Sequence, residues 1–537
     1  MTRGSVPLLG FLAVLSIGQE PPAIRVNTRL VEVDAVVRDK NGPVKGLTKD
    51  DFTVFDQGKP QKIATFNVTV AGHSVKTTPL PGGTVSNRLN SQGEEPVGAT
   101  VVLWDKLNTE TEDQSYVQKQ VFNYLHTLRP GDHLALYALV KDLLVVQDFT
   151  DDPERLIRAM KRLGPEQSLN LTAGDLTDLV SQINSPILQA LTQGASLADL
   201  QSMATATAAE LTDYALRDRV FVTAHSLEAI AWHMAGLPGR KKLVWITGSF
   251  PAATVDTRSR VGATQIEVQD FGLQINQAIR KLNEANVAVY PIDPQGVKTG
   301  MSMGKDQGAL ASGAGLTNPG IETMLLFSKG TGGKSIYVDN DLTTAMKTVM
   351  DDDEVTYSLG FYPVDQKPDG SYHPLSVKVN KKGVEVRHRD GYYADDPKGT
   401  NSGNRHEAIG AVMENPLDAT QIGIRATATP VKNRPGVFQI EVRLNTNELH
   451  LERVKDRWVA RVQYATLFSP QESTKGTLET IQISLNEPRL RAALNDGFPL
   501  RRLVELGDHK GTLRIAVQDV GSGLSGSVHL PLPPAAP

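Results

Sequence analysis

The sequence predicts a central α/β domain with a doubly wound, mostly parallel sheet, flanked by β-sandwich-like domains. Two observations support this fold class. Apolar runs typical of buried strands alternate with helical apolar spacing over residues 98–353, the pattern of strands joined by crossover helices. Both ends of the chain instead contain short strand-like runs with patches of period-two alternation. A chain of 537 residues is long enough for several such domains.

Composition excludes several classes of function. The 56 Lys and Arg residues against 60 Asp and Glu residues give a formal charge of −4, and no long basic run is present, so we expect no nucleic-acid partner. The absence of cysteine excludes disulfides, thiolate metal sites, cysteine nucleophiles and a lipoprotein anchor.

The first residues predict export. Arg3 supplies a short positive region, residues 6–17 are mostly apolar, and small residues then precede the polar Gln19. The apolar run is too short for a comfortable membrane span. We therefore expect a signal peptide over residues 1–18 and a periplasmic or extracellular location, with an uncleaved anchor as the alternative.

Residues 24–71 and 354–394 are predicted to form one discontinuous β domain. The first stretch contains Asn41-Gly42, a strong hairpin turn, and the β rhythm returns in the second stretch. Each stretch alone is small for an independent sheet, so we expect the two to pair. Residues 72–97 are rich in Pro, Gly, Ser and Thr, which predicts a linker.

The central domain opens with a continuous apolar strand at 100–104, typical of a strand that is buried on both faces. The next two strands, at 134–140 and 143–149, are joined so tightly that we expect an antiparallel pair with one member at the sheet edge. Three further strands are predicted at 242–247, 287–292 and 335–338, and a helix is predicted at 266–285.

Two long segments and a C-terminal domain complete the predicted organisation. Residues 164–218 are rich in Ala, Ser, Thr, Leu and Gln and are predicted to be a helical insertion. With the long loop at 296–320, this insertion would frame a binding surface if both lie at the carboxyl ends of the strands; the alternative is a loop without a partner. Residues 395–415 predict a linker, and 416–532 an all-β sandwich.

The order of elements between residues 100 and 350 resembles the von Willebrand factor A fold. Together with several local segments, it is similar to the VWFA-related domain family, which is known mainly from acidobacterial exported proteins. The resemblance extends over about residues 25–394 and implies a von Willebrand A-like fold and an exported protein, while the biochemical role of the family is open. The segments that show the resemblance are 33–66, 104–109, 239–245, 290–293 and 387–393.

Von Willebrand A domains commonly contain a metal-ion-dependent adhesion site. It consists of an Asp-x-Ser-x-Ser motif after the first strand, a threonine from a later loop and an aspartate after the fourth strand. The resemblance places Asp105 at the first aspartate, Thr109 at the second serine and Thr223 near the loop threonine. These oxygens suit a hard cation, so one hypothesis is a weakened Mg²⁺ or Mn²⁺ site.

The same motif is incomplete in this sequence. Leu107 replaces the first serine, and Gly248 stands where the second aspartate is expected, with Ser249 beside it as a weak substitute. The alternative hypothesis, which the missing ligands favour, is that Asp105 and Thr109 organise the turn before the next helix.

No complete catalytic set is present in the sequence, and we predict that the protein is not an enzyme. His225 and His233 lack the Glu of a His-Glu-x-x-His motif, and no Gly-x-Ser-x-Gly motif occurs. The predicted function is an exported protein-binding module of the adhesion type with a degenerate metal site. Its ligand would be a protein or peptide, met by a face that includes Asn108 and Ser249. The alternative is a structural scaffold in a cell-envelope assembly.

Overall fold

The fold is known from a computed structural model of the chain, which describes part of the sequence. The signal peptide predicted at 1–18, residues 164–196 of the predicted insertion and most of the predicted 296–320 loop lie outside that part. The described residues are 30–70, 74–89, 94–129, 132–163, 197–250, 252–260, 263–294, 319–337, 341–352, 354–363, 371–394, 405–469, 475–505 and 511–532.

Strands dominate the described chain. Those before the central sheet are β1 (Val31–Asp39), β2 (Gly42–Pro43), β3 (Phe52–Asp56), β4 (Lys59–Gln61), β5 (Ile63–Val70), β6 (Ser74–Lys76), β7 (Thr84–Ser86) and β8 (Glu94–Pro96). The middle of the chain contains β9 (Thr100–Asp105), β10 (Leu134–Leu139), β11 (Leu143–Thr150), β12 (Lys241–Ile246), β13 (Ala253–Arg260), β14 (Ala263–Asp270) and β15 (Val287–Ile292). The last group comprises β16 (Val355–Phe361), β17 (Tyr372–Val379), β18 (Glu385–Arg387), β19 (Gly391–Tyr393), β20 (Ile424–Pro430), β21 (Val437–Leu444), β22 (Glu452–Val454), β23 (Arg457–Ser469), β24 (Lys475–Leu485), β25 (Phe498–Glu505), β26 (Thr512–Asp519) and β27 (Ser525–Pro531).

Helices are concentrated in the middle of the chain. Those in the described residues are α1 (Thr111–Leu125), α2 (Pro153–Arg162), α3 (Leu197–Met234), α4 (Gly272–Glu284), α5 (Pro319–Thr331), α6 (Leu342–Asp352), α7 (Arg405–Glu414) and α8 (Glu487–Asp496). None of them is both long and apolar enough to serve as a membrane span.

The central sheet is mixed and has the strand order β11-β10-β9-β12-β15. Its inner pairings, β10–β9, β9–β12 and β12–β15, are parallel. The β10–β11 pair is antiparallel and β11 lies at the edge, which confirms the expectation from the tight connection. Of the strand predicted at 335–338, the described residues show a single bridge between Ile292 and Ile336.

Helices cover both faces of this sheet because its strands are apolar on both sides. Val101 and Leu103 of β9 point into a core that includes Leu227 and Phe327, from α3 and α5. The alternate residues of β9 face a second core, formed with α1, α2 and α6. This unit, β9 to α6, is called the α/β unit below.

The helix predicted over 266–285 is wrong in its first part. Residues 263–270 form β14, which pairs with β13 as a separate two-stranded sheet, and α4 begins only at Gly272. The period-two alternation of Thr264, Ile266 and Val268 with polar residues favours a strand, and it is continuous with the helical spacing that follows.

Strands from before and after the α/β unit pair with each other. β16 lies between β1 and β5, and β17 lies between β3 and β19. Their shared core contains Phe52 and Tyr357, whose rings lie 5.1 Å apart. The two ends of this β unit therefore enclose the α/β unit in the sequence.

The C-terminal unit consists of two antiparallel sheets and the short helices α7 and α8. One sheet has the order β25-β21-β20-β7, so β7, from the segment predicted as a linker, is a strand of this unit. Asn87 extends the attachment because its side-chain amide donates to the carbonyl oxygens of Ala419 and Ile422. The described residues of the segment predicted as a linker thus contribute a strand and a hydrogen-bonded asparagine to the C-terminal unit.

Candidate functional site

Asp105, the last residue of β9, lies at the carboxyl edge of the central sheet and is fully buried. Its Oδ1 accepts hydrogen bonds from the backbone and side-chain nitrogens of Asn108 at 3.0 and 3.1 Å. Its Oδ2 accepts from Asn108 Nδ2 at 2.9 Å, Trp245 Nε1 at 3.0 Å and Thr247 Oγ1 at 2.8 Å. Five donated hydrogen bonds therefore surround one carboxylate.

Asn108 links this carboxylate to helix α3. Its Nδ2 also donates to Thr223 Oγ1 at 2.8 Å, and the Thr223 hydroxyl donates to the Arg219 carbonyl oxygen at 2.7 Å. Because the hydroxyl hydrogen of Thr223 is used in the helix, its oxygen accepts from Asn108. This arrangement fixes the Asn108 amide with its nitrogen towards Asp105.

Thr109 is buried and its Oγ1 donates to the Asp105 carbonyl oxygen at 2.5 Å. It immediately precedes Glu110, the N-cap residue of α1. Leu107 packs into the core beside α3, and its backbone nitrogen donates to the Leu139 carbonyl oxygen. Thr109 and the backbone of Leu107, at the two serine positions of the motif, thus hold the turn between β9 and α1.

The loop after β12 lies against this turn. A Cβ atom at position 248 would lie 2.4 Å from the Asn108 carbonyl oxygen, so the close approach requires Gly248. Ser249 has a positive φ of 65°, and its hydroxyl donates to the Gly320 carbonyl oxygen at 2.8 Å. The Ser249 hydroxyl is therefore directed at α5 and away from Asp105.

The charge of Asp105 is moderated by its surroundings. Burial raises the pKa of its carboxyl group, while the hydrogen bonds from Asn108, Thr247 and Trp245 oppose that rise. The Arg219 guanidinium interacts with the same charge, and burial nevertheless lowers the pKa of Arg219. A positive side chain thus stands near the carboxylate on the α3 side.

The Asp105 cluster, defined as Asp105, Asn108, Thr223, Trp245 and Thr247, is a poor match for a hard cation. Mg²⁺ requires about six oxygen ligands, whereas three of the five hydrogen bonds to the Asp105 carboxylate come from N–H groups of side chains. Asn108 Oδ1, which accepts no hydrogen bond from the described residues, would offer a single neutral oxygen. Across the described chain, no three acidic or histidine side chains meet in a metal-binding group.

Sequence reasoning identified Asp105, Thr109, Thr223 and Asn108 but missed the partners from β12. Trp245 lies in β12 and Thr247 directly follows its last residue, Ile246, and both side chains donate to Asp105 Oδ2. An indole N–H and a hydroxyl on the strand beside a buried aspartate are the signal that could have identified them, since indole nitrogen only donates.

Helix α3 extends well beyond the Asp105 cluster. Thr223 lies level with Asp105, and the C-terminal end of α3 leads through a short turn to the start of β12, so the helix runs opposite to that strand. The part of α3 that precedes Thr223, from Leu197 to Val222, has 26 residues and is about 39 Å long. One face of this part packs on the core through Val220 and Leu216. On its other face, Tyr214 is 73% exposed and Phe221 is 52% exposed.

A second polar cluster, around the buried His233, lies at the other end of α3. His233 Nε2 contacts Asp148 Oδ1 at 3.2 Å, and its Nδ1 contacts the Asp418 carbonyl oxygen of the C-terminal unit at 2.7 Å. Tyr137 donates to the same Asp148 oxygen at 2.9 Å, and the Phe149 ring stacks on His233 at 5.6 Å. This Asp148 cluster joins the α/β unit to the C-terminal unit.

Comparisons with known proteins give structural likenesses only. No family model matches the chain, and no curated protein matches it. Similar solved structures include an aerotolerance-related membrane protein from Bacteroides fragilis, 12% identical, covering 48% of this chain and 98% of that one at a TM-score of 0.23. A von Willebrand factor type A protein from Catenulispora acidiphila is 8% identical and covers 88% of this chain and 74% of its own at a TM-score of 0.24.

A third similar structure is proximal thread matrix protein 1 from the mussel byssus, described with a zinc-occupied metal-ion-dependent adhesion site. It is 11% identical and covers 48% of each chain at a TM-score of 0.22. Because these TM-scores are low, the description of the α/β unit rests on its own strand order and its two core clusters.

Proposed function

We propose that the protein is an exported binding module whose α/β unit engages a protein or peptide ligand at the carboxyl edge of its sheet. The single observation that supports this most is the pair of exposed aromatic side chains on α3, Tyr214 and Phe221. Large aromatic side chains in solvent are enriched at protein interfaces and dominate their binding energy. In α/β sheets, ligands also favour the edge formed by the carboxyl ends of the strands.

The site residues proposed from the sequence have a supporting role in this view. Asn108 is 7% exposed and is hydrogen-bonded to Asp105 and Thr223, so it does not face solvent. By holding α3 against β9, the Asp105 cluster fixes the direction in which the helix projects. Ligand recognition is then assigned to the exposed side chains of Tyr214 and Phe221 on α3.

A structural scaffold is the second candidate, favoured by the attachment between the α/β unit and the C-terminal unit. Thr420 Oγ1 donates to the His233 carbonyl oxygen at 2.8 Å and accepts from Gly236 N at 2.7 Å. Arg88 also bonds to Gly236 and Glu448. Such bonds would suit a rigid spacer.

The two candidate functions differ in whether ligand binding requires the exposed aromatic side chains of α3. The immobilised full chain would be exposed to an envelope extract of its native host, and retained protein would be quantified by mass spectrometry. We expect Tyr214→Ala/Phe221→Ala to lower the retained amount about tenfold or more. The matched control is Leu503→Ala, since Leu503 is 61% exposed on β25 in another unit.

Equal retention by the double variant and the wild type would contradict binding through α3. Retention that is not saturable for any of the three proteins would favour the scaffold. Circular dichroism of each variant checks that the fold is retained.

A further inference from the structure

The cation-binding motif expected of this fold and the donors around Asp105 disagree. In an oxygen-ligated cation site, the carboxylate oxygens face a positive ion. Here Asn108 Nδ2 lies 3.1 and 2.9 Å from the two oxygens of Asp105 and bridges them. Because that amide nitrogen donates to both carboxylate oxygens as well as to Thr223 Oγ1, it is placed where a bridging cation would act.

The acceptor capacity of Asp105 is also used up. An ionised carboxylate has about four lone-pair positions, and five hydrogen bonds are donated to this one. A cation would have to displace at least the Asn108 amide from Asp105, and since Thr223 Oγ1 can accept from only one of its two N–H groups, the other would be left buried without an acceptor. Trp245 Nε1 could not turn into a ligand, since indole nitrogen has no lone pair available for a metal.

The loop after β12 removes the remaining space. Asp105, Thr223 and Thr247 are each fully buried. At position 248, where the resemblance places a second carboxylate, even a Cβ would lie 2.4 Å from a backbone oxygen. Room for a metal, its waters and a ligand carboxylate would require this loop to move.

We infer that the α/β unit works without a divalent cation at this edge, because the Asn108 side-chain amide holds Asp105 in the way that a cation holds the acidic residues of an adhesion site. The inference about the cation does not depend on the proposed binding function. Its consequence, that ligand capture survives a chelator, rests on that function.

Calorimetric titration of the full chain with Mg²⁺ and then Mn²⁺, to about 10 mM at neutral pH, is the first test. We expect no saturable heat that depends on Asp105, and melting temperatures in chelator and in Mg²⁺ that differ by less than about 1 °C. Saturable binding by the wild type that disappears in Asp105→Asn would overturn the inference. Saturable binding that persists in Asp105→Asn lies elsewhere and agrees with it.

The isosteric variant Asn108→Asp sharpens the test because it replaces the amide donor by a second carboxylate beside Asp105. Two adjacent buried carboxylates repel each other, so we expect the melting temperature in chelator to fall by about 5 °C. Repulsion between the two carboxylates favours movement of the loop after β12, so we expect Mg²⁺ or Mn²⁺ to enter the variant and restore about half of that loss while leaving the wild type unchanged. A wild type stabilised by cation as strongly as the variant would contradict the inference.

If Asn108→Asp does not fold, the wild-type titration still decides the question. Ligand capture in the presence of chelator is measured separately. Loss of capture in both chelator and Mg²⁺ would count against the proposed binding function alone, whereas loss only in chelator would count against cation independence.

Discussion

Two aspartates of the α/β unit, the fully buried Asp105 and the half-exposed Asp148, are hydrogen-bonded in different ways. Asp105 accepts hydrogen bonds only from neutral groups, on Asn108, Trp245 and Thr247. Asp148 is bonded to His233, and burial opposes but does not cancel the rise in the His233 pKa that the Asp148 charge causes. The first cluster organises one edge of the sheet, and the second joins two units. The difference predicts an interface between units whose stability depends on the charge state of His233.

The largest expected effect is that of Asp105→Ala. Removal of the carboxylate leaves the buried N–H and O–H donors of Asn108, Trp245 and Thr247 without their acceptor. We expect the unfolding transition of the α/β unit to lose about 4 kcal/mol in urea denaturation. Glu112→Ala, at an exposed position in the first turn of α1, is the control and should lose less than about 0.5 kcal/mol. An Asp105→Ala loss as small as the control would show that the cluster does not hold this edge together.

His233→Ala tests the second cluster and should cost about 3 kcal/mol, since it removes a buried ring and its hydrogen bonds to Asp148 and Asp418. His225, eight residues earlier on α3, is exposed and gives a matched control. Limited proteolysis between the α/β and C-terminal units should accelerate in the His233 variant only. Equal cleavage of the two variants would mean that the cluster does not join the units.

Gly248→Ala tests how closed the Asp105 cluster is. The added Cβ would lie 2.4 Å from the Asn108 carbonyl oxygen, so the loop or the turn must shift, at a cost of about 2 kcal/mol. Gly82→Ala, where a Cβ meets no atom within 4 Å, serves as the control. A Gly248→Ala protein as stable as this control would show that the loop after β12 yields easily.

The smallest predicted effect is the pH dependence of the Asp148 cluster. Burial lowers the pKa of His233, but the Asp148 charge and the hydrogen bonds outweigh it and raise the pKa overall. Burial raises the pKa of Asp148, but His233 and the hydrogen bonds lower it to about 2. A raised histidine pKa stabilises the fold below its unfolded value and loses that contribution as pH rises through the folded value.

The Asp148 contribution has the opposite direction and is lost only as the pH falls towards about 2. The side chain of Asp148 is 50% exposed, so solvent screening limits the effect of the pair. We expect the stability difference between wild type and His233→Gln to shrink by about 1 kcal/mol between about pH 6 and pH 9. A difference that grows over this range would reverse the proposed charge state of the pair.

Local patterns allowed much of the α/β unit to be predicted. The apolar run of β9 and the short β10–β11 connection specify buried strands and an antiparallel edge, because both are consequences of nearby residues. The β13–β14 hairpin was missed because period-two alternation runs directly into the helical spacing of α4. Local pattern alone does not mark that boundary.

The site was predictable in position and not in chemistry. Asp105 was identified from its place after an apolar strand, yet its partners Trp245 and Thr247 are 140 and 142 residues away in the sequence. The orientation of the Asn108 amide depends on Thr223, which is 115 residues distant. Only the three-dimensional arrangement shows whether a carboxylate faces donors or a cation.

Crystals of the full chain soaked in Mn²⁺ would test the central claim most directly. Anomalous scattering at the manganese edge should show no peak beside Asp105, with Trp245 Nε1 still about 3 Å from Asp105 Oδ2. A manganese peak about 2.1 Å from that oxygen, with Asn108 turned away, would contradict the account.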